Sequence, residues 1–141
     1  MIITPNFHFQ GDCEEAMNLY QKAFHGEITC LLHYRDANPR DYVADSRSGG
    51  RVYHGEMLLY GIRVMMSDME PAEIAEKPVS PPLSLVVTMD TKEQVIEAYE
   101  VMKEGAVIRQ TPQSTTYSSC FVSLIDRFGI RWEIMTEQTL Q

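Results

Sequence analysis

The sequence predicts an α+β domain of two βαβββ modules related by pseudo-twofold symmetry, with curled mixed sheets enclosing a cavity. Three observations predict it. Tyr60-Gly61-Ile62-Arg63 and Phe128-Gly129-Ile130-Arg131 nearly repeat, each between apolar runs. Upstream of each lies a second matching pair, residues 11–28 and 89–108, with an acidic start, a helical run centred on Tyr20 or Tyr99, a glycine and a new strand. The order helix–strand–hairpin therefore occurs twice. Two copies are too few for a solenoid, and fit two halves that build one shared pocket.

Residues 2–9 partly alternate and read as a strand, with Pro5 suited to an edge or strand start. Asp12 is the expected N-cap of a first helix, supported by Glu14 and Glu15 at the positive end of its dipole. Ala16, Leu19, Tyr20 and Phe24 form its apolar stripe, and Gly26 is expected to stop it near Phe24-His25. Residues 27–34 read as the next strand and 35–50 as a polar loop, either a lid or disordered. A third strand runs over 51–59, turns at Tyr60-Gly61, and returns over 62–67.

The second module repeats this order. Residues 83–89 form a strand, and a helix runs from Asp90-Thr91 to about Glu104, with Val95, Ala98, Tyr99 and Met102 on its apolar face. Gly105 ends it. Residues 106–109 are a short strand, 111–116 a polar loop, and 117–125 and 130–136 a final hairpin. The chain is thus one domain over 1–141, with module one at about 1–68, a proline-rich acidic connection at 69–82 and module two at about 83–137.

Composition narrows the partners. Twelve Lys and Arg against twenty Asp and Glu give a net charge of −8, and no two basic residues are adjacent. Nucleic acid and anionic membrane surfaces are therefore excluded as expected partners. No apolar run reaches the ~18 residues of a membrane span, and the N-terminus lacks a signal-peptide pattern. Cys13, Cys30 and Cys120 are an odd number without CxxC spacing, which reads as reduced thiols in a cytoplasmic protein. There is no GxGxxG after a strand, no P-loop and no GxSxG.

Residues 4–28 (TPNFHFQGDCEEAMNLYQKAFHGEI), 52–68 (VYHGEMLLYGIRVMMSD) and 121–134 (FVSLIDRFGIRWEI) carry a resemblance. Taken in order, they resemble the vicinal oxygen chelate superfamily (glyoxalase I, bleomycin-resistance proteins, extradiol dioxygenases), and within it the PhnB-like branch. The resemblance spans essentially the whole chain. It implies a glyoxalase-like fold, a small-molecule ligand and a homodimer, and a symmetric partner would also cover open sheet edges. PhnB-like relatives are sometimes labelled methyltransferases of ubiquinone synthesis, but the glycine-rich turn of the usual methyltransferase fold is absent here.

Superfamily enzymes usually hold a divalent metal with four side chains, from the first and last strands of each module. Carried over by position, these fall on Pro5, Met65, Ser84 and Glu133, the hairpins being offset by 129 − 61 = 68 and 133 − 68 = 65. Only Glu133 is a good ligand, so the glyoxalase-type site reads as lost and no metal or other cofactor is expected. A different divalent site is disfavoured; His54 and Glu56 share a strand face and would need Glu133 to complete it.

The expected ligand-binding residues are His54, Glu56, Met65, Tyr117, Ser119 and Glu133. Glu133 is also the candidate acid or base, because a buried unpartnered carboxyl titrates high. Tyr117 and Ser119 are expected to share one face of the penultimate strand, and Trp132, next to Glu133, the opposite face of the last. Cys120 reads as inert core and Asp68 as a turn cap. The preferred function is a small-molecule binding protein without the usual catalytic metal. The alternatives are a metal-dependent or acid/base lyase, isomerase or dioxygenase, and an antibiotic-sequestering resistance protein.

Overall fold

The computed structural model describes residues 1–40, 48–69 and 81–137, and in it each half of the chain builds a sheet around its own helix. The halves are the compact units Met1–Ala75 and Glu76–Gln141. The first contains β1 (Asn6–Phe9), α1 (Cys13–Phe24), β2 (Glu27–His33), β3 (Val52–Leu59) and β4 (Ile62–Asp68), with strands in the order β1-β4-β3-β2. The second contains β5 (Ser84–Met89), α2 (Lys92–Met102), β6 (Val107–Gln113), β7 (Phe121–Ile125) and β8 (Arg131–Thr136), in the order β5-β8-β7-β6. In each sheet the first strand lies parallel to the last and the other pairs are antiparallel. These are two similar βαβββ modules with open four-stranded mixed sheets.

One face of each sheet takes the helix. In the first unit Ala16, Met17, Tyr20 and Phe24 of α1 are buried, as are Phe7, Phe9, Met57, Leu59, Val64 and Met66 at alternating strand positions. The Phe7 ring meets Phe9 and Tyr20 edge-on at centroid distances of 6.3 and 6.4 Å. Each such buried large side chain contributes about 1.5–3 kcal/mol. Two glycines allow the close packing. A Cβ at Gly55 would meet the Met17 Sδ at 3.0 Å, and one at Gly26 would meet the Leu59 Cδ2 at 2.6 Å. In the second unit Val95, Ala98 and Met102 are buried with Val122, Leu124, Trp132 and Ile134.

Both near-repeated tetrapeptides lie at hairpins. Tyr60 and Gly61 take φ of 48° and 80°, the left-handed pair that a two-residue hairpin requires, and Gly129 takes 95°.

Five expectations are corrected. Strand β1 begins at Asn6, leaving Met1, Ile2 and Ile3 exposed. Asp12 makes no side-chain cap bond to α1; Asp68 supplies the carboxylate from the end of β4. The left-handed residue closing α1 is His25, and Gly26 is needed for space beside Leu59. Strand β6 continues to Gln113, because an edge strand tolerates polar residues and Pro112 on its free side. Strand β7 starts only at Phe121, so Tyr117 and Ser119 precede it and strand alternation does not govern them. Residues 41–47 of the expected lid or loop, and 70–80 of the connection, lie outside the described residues.

Candidate functional site

The sheet face opposite each helix carries the polar side chains. In the first unit strand alternation places His54 and Glu56 there, with Met65 directly across from Glu56 on β4. Antiparallel pairing with β2, irregular between Ile28 and Cys30, sets Cys30 directly opposite Glu56. The Cys30 thiol, the His54 imidazole and the Glu56 carboxylate offer ligand atoms that all lie within 4.8 Å of one another. His54 Nε2 is 3.5 Å from Glu56 Oε2, while the Arg63 guanidinium holds the other oxygen, Oε1. The Arg63 hydrogen bond, helped by its charge and by His54, keeps the Glu56 carboxyl below its ordinary range against partial desolvation.

In the second unit Glu133 occupies the corresponding face. Its Oε2 accepts from the Ser84 hydroxyl at 3.1 Å and its Oε1 faces Arg131 at 3.4 Å. Glu133 is thus partnered rather than isolated. Arg131 is bonded only at long range, with Pro81 O at 3.4 Å, and its Nε is buried with no hydrogen-bond partner among the described residues. A buried unsatisfied donor costs about 1–3 kcal/mol, so an incoming acceptor would be rewarded there. Val86, exposed, lies opposite Glu133 on β5, and Ser123 lies opposite it on β7.

Tyr117 is exposed and packs edge-on against Phe121 at 5.9 Å; Phe121 pairs with Met135, two residues along from Glu133. Ser119 bonds the Thr136 hydroxyl at 2.8 Å, away from Glu133's own partners. The second unit therefore brings Glu133 together with Ser84 and Arg131, and the first brings His54, Glu56 and Met65 together with Cys30. Trp132 faces the helix side, where its Nε1 donates to Asp126 Oδ2 at 2.9 Å.

The four carried-over superfamily positions, two in each unit, offer poor metal donors. Met65 pairs with Asn6, not Pro5, across β1, while Pro5 gives only its carbonyl to the Met65 amide. Ser84 donates to Glu133, and Glu133 is held by Arg131. A thioether, a hydroxyl and one engaged carboxylate are not the imidazole and carboxylate set such an ion needs.

Three residues brace the faces from beneath. Asp68, 2% exposed, accepts from the amides of Gly11 (2.8 Å), Cys13 (3.0 Å) and Val52 (2.8 Å). Thr136 does the matching work in the second unit, its Oγ1 accepting from the Ser119 and Cys120 amides at 3.1 and 3.2 Å. The pairs Asp68–Val52 and Thr136–Cys120 keep the repeat offset, 136 − 68 = 120 − 52 = 68. Asp126 accepts from the amides of Phe128 and Ile130 and orders the last hairpin. Burial, then the carboxylates of Asp68, Asp12 and Glu14, push the Cys13 thiol far up, and burial raises Cys120 despite Lys92. Both shifts disfavour the thiolate, the nucleophilic form.

Sequence reasoning missed Cys30 and Arg131. Cys30 has no spacing signal and only strand register finds it, whereas Arg131 stands two residues from Glu133 and strand alternation alone would have placed it there.

A family model described as 3-demethylubiquinone-9 3-methyltransferase matches residues 1–135. Protein YjdN of Escherichia coli (strain K12) is 23% identical over 141 residues, covering 95% of this chain and 94% of that protein. Protein PA1353 from Pseudomonas aeruginosa superposes with a TM-score of 0.84 at 22% identity, covering 99% of each chain. A PhnB protein from Bacillus cereus, described as a putative 3-demethylubiquinone-9 3-methyltransferase, superposes at 0.78 with 26% identity, covering 96% of this chain and 99% of that one. At 12% identity the likeness extends to a glyoxylase/bleomycin resistance protein/dioxygenase domain and a fosfomycin resistance protein, as a likeness of fold alone.

Proposed function

Since the chain belongs to the PhnB-like family, within the vicinal oxygen chelate superfamily, we propose that it is a small-molecule binding protein that works without the superfamily's usual catalytic metal. The observation that carries this reading is the Ser84–Arg131–Glu133 cluster with its unsatisfied guanidinium Nε. A ligand with an oxygen acceptor would satisfy Nε, and its apolar part would lie on Val86.

Methyl transfer, which the family description names, has no support in the donors at the helix N-termini. The Gly11 and Cys13 amides before α1 are taken by Asp68, and Thr91 and Gln94 close a reciprocal capping box at α2.

Glu133 as a proton-transfer group is the second reading. It is favoured by a carboxylate that is 21% exposed at the side chain beside a hydroxyl. A homodimer in a reducing compartment completes the proposal, motivated by the open sheet edges and three free cysteines.

The test is a screen of aliphatic and aromatic carboxylic acids by thermal shift, followed by amide NMR. A hit should move the resonances of Ser84, Val86 and Ser123, and Arg131→Gln should weaken it about 10–100-fold. Hits that leave those amides unmoved, or that bind Arg131→Gln equally well, would overturn the reading. Glu133→Gln separates the two uses, since binding survives in it and any turnover does not.

A further inference from the structure

We infer that Cys30, His54 and Glu56 form a binding site for a borderline divalent transition ion, Zn²⁺ foremost, on the face of the first sheet opposite α1. These residues lie on β2 and β3, whereas the superfamily's ligand positions lie on the first and last strands of each module. The inference goes beyond the small-molecule reading, which rests on Ser84, Arg131 and Glu133.

Geometry supports it first. Metal–ligand bonds of about 2.0–2.3 Å in a tetrahedral shell set neighbouring donors roughly 3.4 Å apart. His54 Nε2 and Glu56 Oε2 already stand at 3.5 Å, and the Cys30 thiol is within 4.8 Å of both. Rotation about side-chain bonds closes the rest, because all three side chains are only partly buried. Cys30 faces Glu56 directly and His54 diagonally across an antiparallel pair, so the backbone holds the three in register.

Arg63 is the second observation. It grips Oε1 of Glu56 and leaves Oε2 turned to His54, so the carboxylate is oriented with one oxygen free to ligate. Such a partner beneath a ligand fixes its direction and tunes the ion it holds. Donor chemistry then selects the metal. Thiolate with imidazole suits Zn²⁺ and disfavours Mg²⁺ and Ca²⁺, which take oxygen. Three protein donors leave a fourth position for water or another small ligand. Binding converts the thiol to a metal thiolate and releases its proton to solvent.

Zn²⁺ and Co²⁺ titrations of the full chain test this, with bound metal counted after dialysis. One ion per chain is expected, and Co²⁺ should give a near-ultraviolet sulfur-to-cobalt charge-transfer band. Cys30→Ser should abolish the band. His54→Ala should weaken Zn²⁺ binding by more than the roughly 10–100-fold expected for Arg63→Gln. His8→Ala, on the same face but outside the cluster, should bind as the native chain does. Failure of the native chain to retain Zn²⁺, or Zn²⁺ bound equally by Cys30→Ser, would overturn the inference. Arg131→Gln must leave Zn²⁺ binding unchanged, so this result and that of the carboxylic-acid screen are read separately.

Discussion

Replacing Asp68 tests whether a residue at the end of β4 organises the start of the first helix. Its carboxylate holds three amides, of which those of Cys13 and Val52 are bonded in buried positions and that of Gly11 in a partly buried one. Asp68→Ala strands all three. At about 1–3 kcal/mol for each of the two buried donors left unmade, the loss is about 2–6 kcal/mol, a large share of the 5–15 kcal/mol typical of a domain. Asp68→Asn keeps one acceptor oxygen for Gly11 and Cys13 but turns an NH₂ toward the Val52 amide, so about 1.5–3 kcal/mol is expected. Urea unfolding followed by circular dichroism reads this as a lower midpoint at unchanged slope. Amide exchange should accelerate at Gly11, Cys13 and Val52 first. A loss below about 1 kcal/mol in Asp68→Ala would refute the argument that these bonds are irreplaceable by water.

Other substitutions probe other links. Gly55→Ala should cost about 1–3 kcal/mol in the same unfolding assay, because its Cβ meets Met17 at 3.0 Å and the Met66 carbonyl at 3.3 Å. Trp132→Phe removes the bond to Asp126 at 2.9 Å and should cost about 1–3 kcal/mol. Alkylation of the folded chain should reach Cys30 well before Cys13 or Cys120, whose thiols burial pushes up; mass mapping of the labelled peptides reads the order. Glu56 titrates below its unfolded value of 4.5 because Arg63 favours the charged form. Its contribution to stability is therefore present above that value and is lost as pH falls through the lower folded one. Arg63→Gln should return the Glu56 carboxyl toward 4.5 in a carbon-13 NMR titration, and an unmoved midpoint would contradict the assignment.

The fold was legible because its signals are local. The two tetrapeptides locate both hairpins, and their glycines take the left-handed backbone those turns need. The apolar stripe of Ala16, Tyr20 and Phe24 gives the buried face of α1 directly. The errors lie where a distant residue decides. Asp12 has the right chemistry for a cap, yet the carboxylate that caps α1 comes from 55–57 residues away. Residues 117–120 have strand-like content, but bonds from Ser118 and Ser119 to Thr136 hold them in a non-strand turn. In the second unit Glu133 was legible as a candidate ligand-binding residue, and in the first-unit cluster the single-strand pair, His54 with Glu56, was legible. Cys30 enters through register between two strands, and spacing along one strand cannot report that.

The parallel pairing of first and last strand in each unit has a kinetic consequence. Asn6 meets Met65 and Ser84 meets Arg131, so the closing contacts span 65 − 6 = 59 and 131 − 84 = 47 residues. Closure entropy grows with the logarithm of loop length, and the two spans differ by only about 0.2 kcal/mol. Neither unit gains a topological head start, and among the described residues each sheet draws its strands from its own unit. Each helix and its adjoining hairpin can nucleate from near neighbours, and zipping of β1 onto β4 and of β5 onto β8 comes last. A chain emerging from synthesis could thus complete its first sheet before the second has been made.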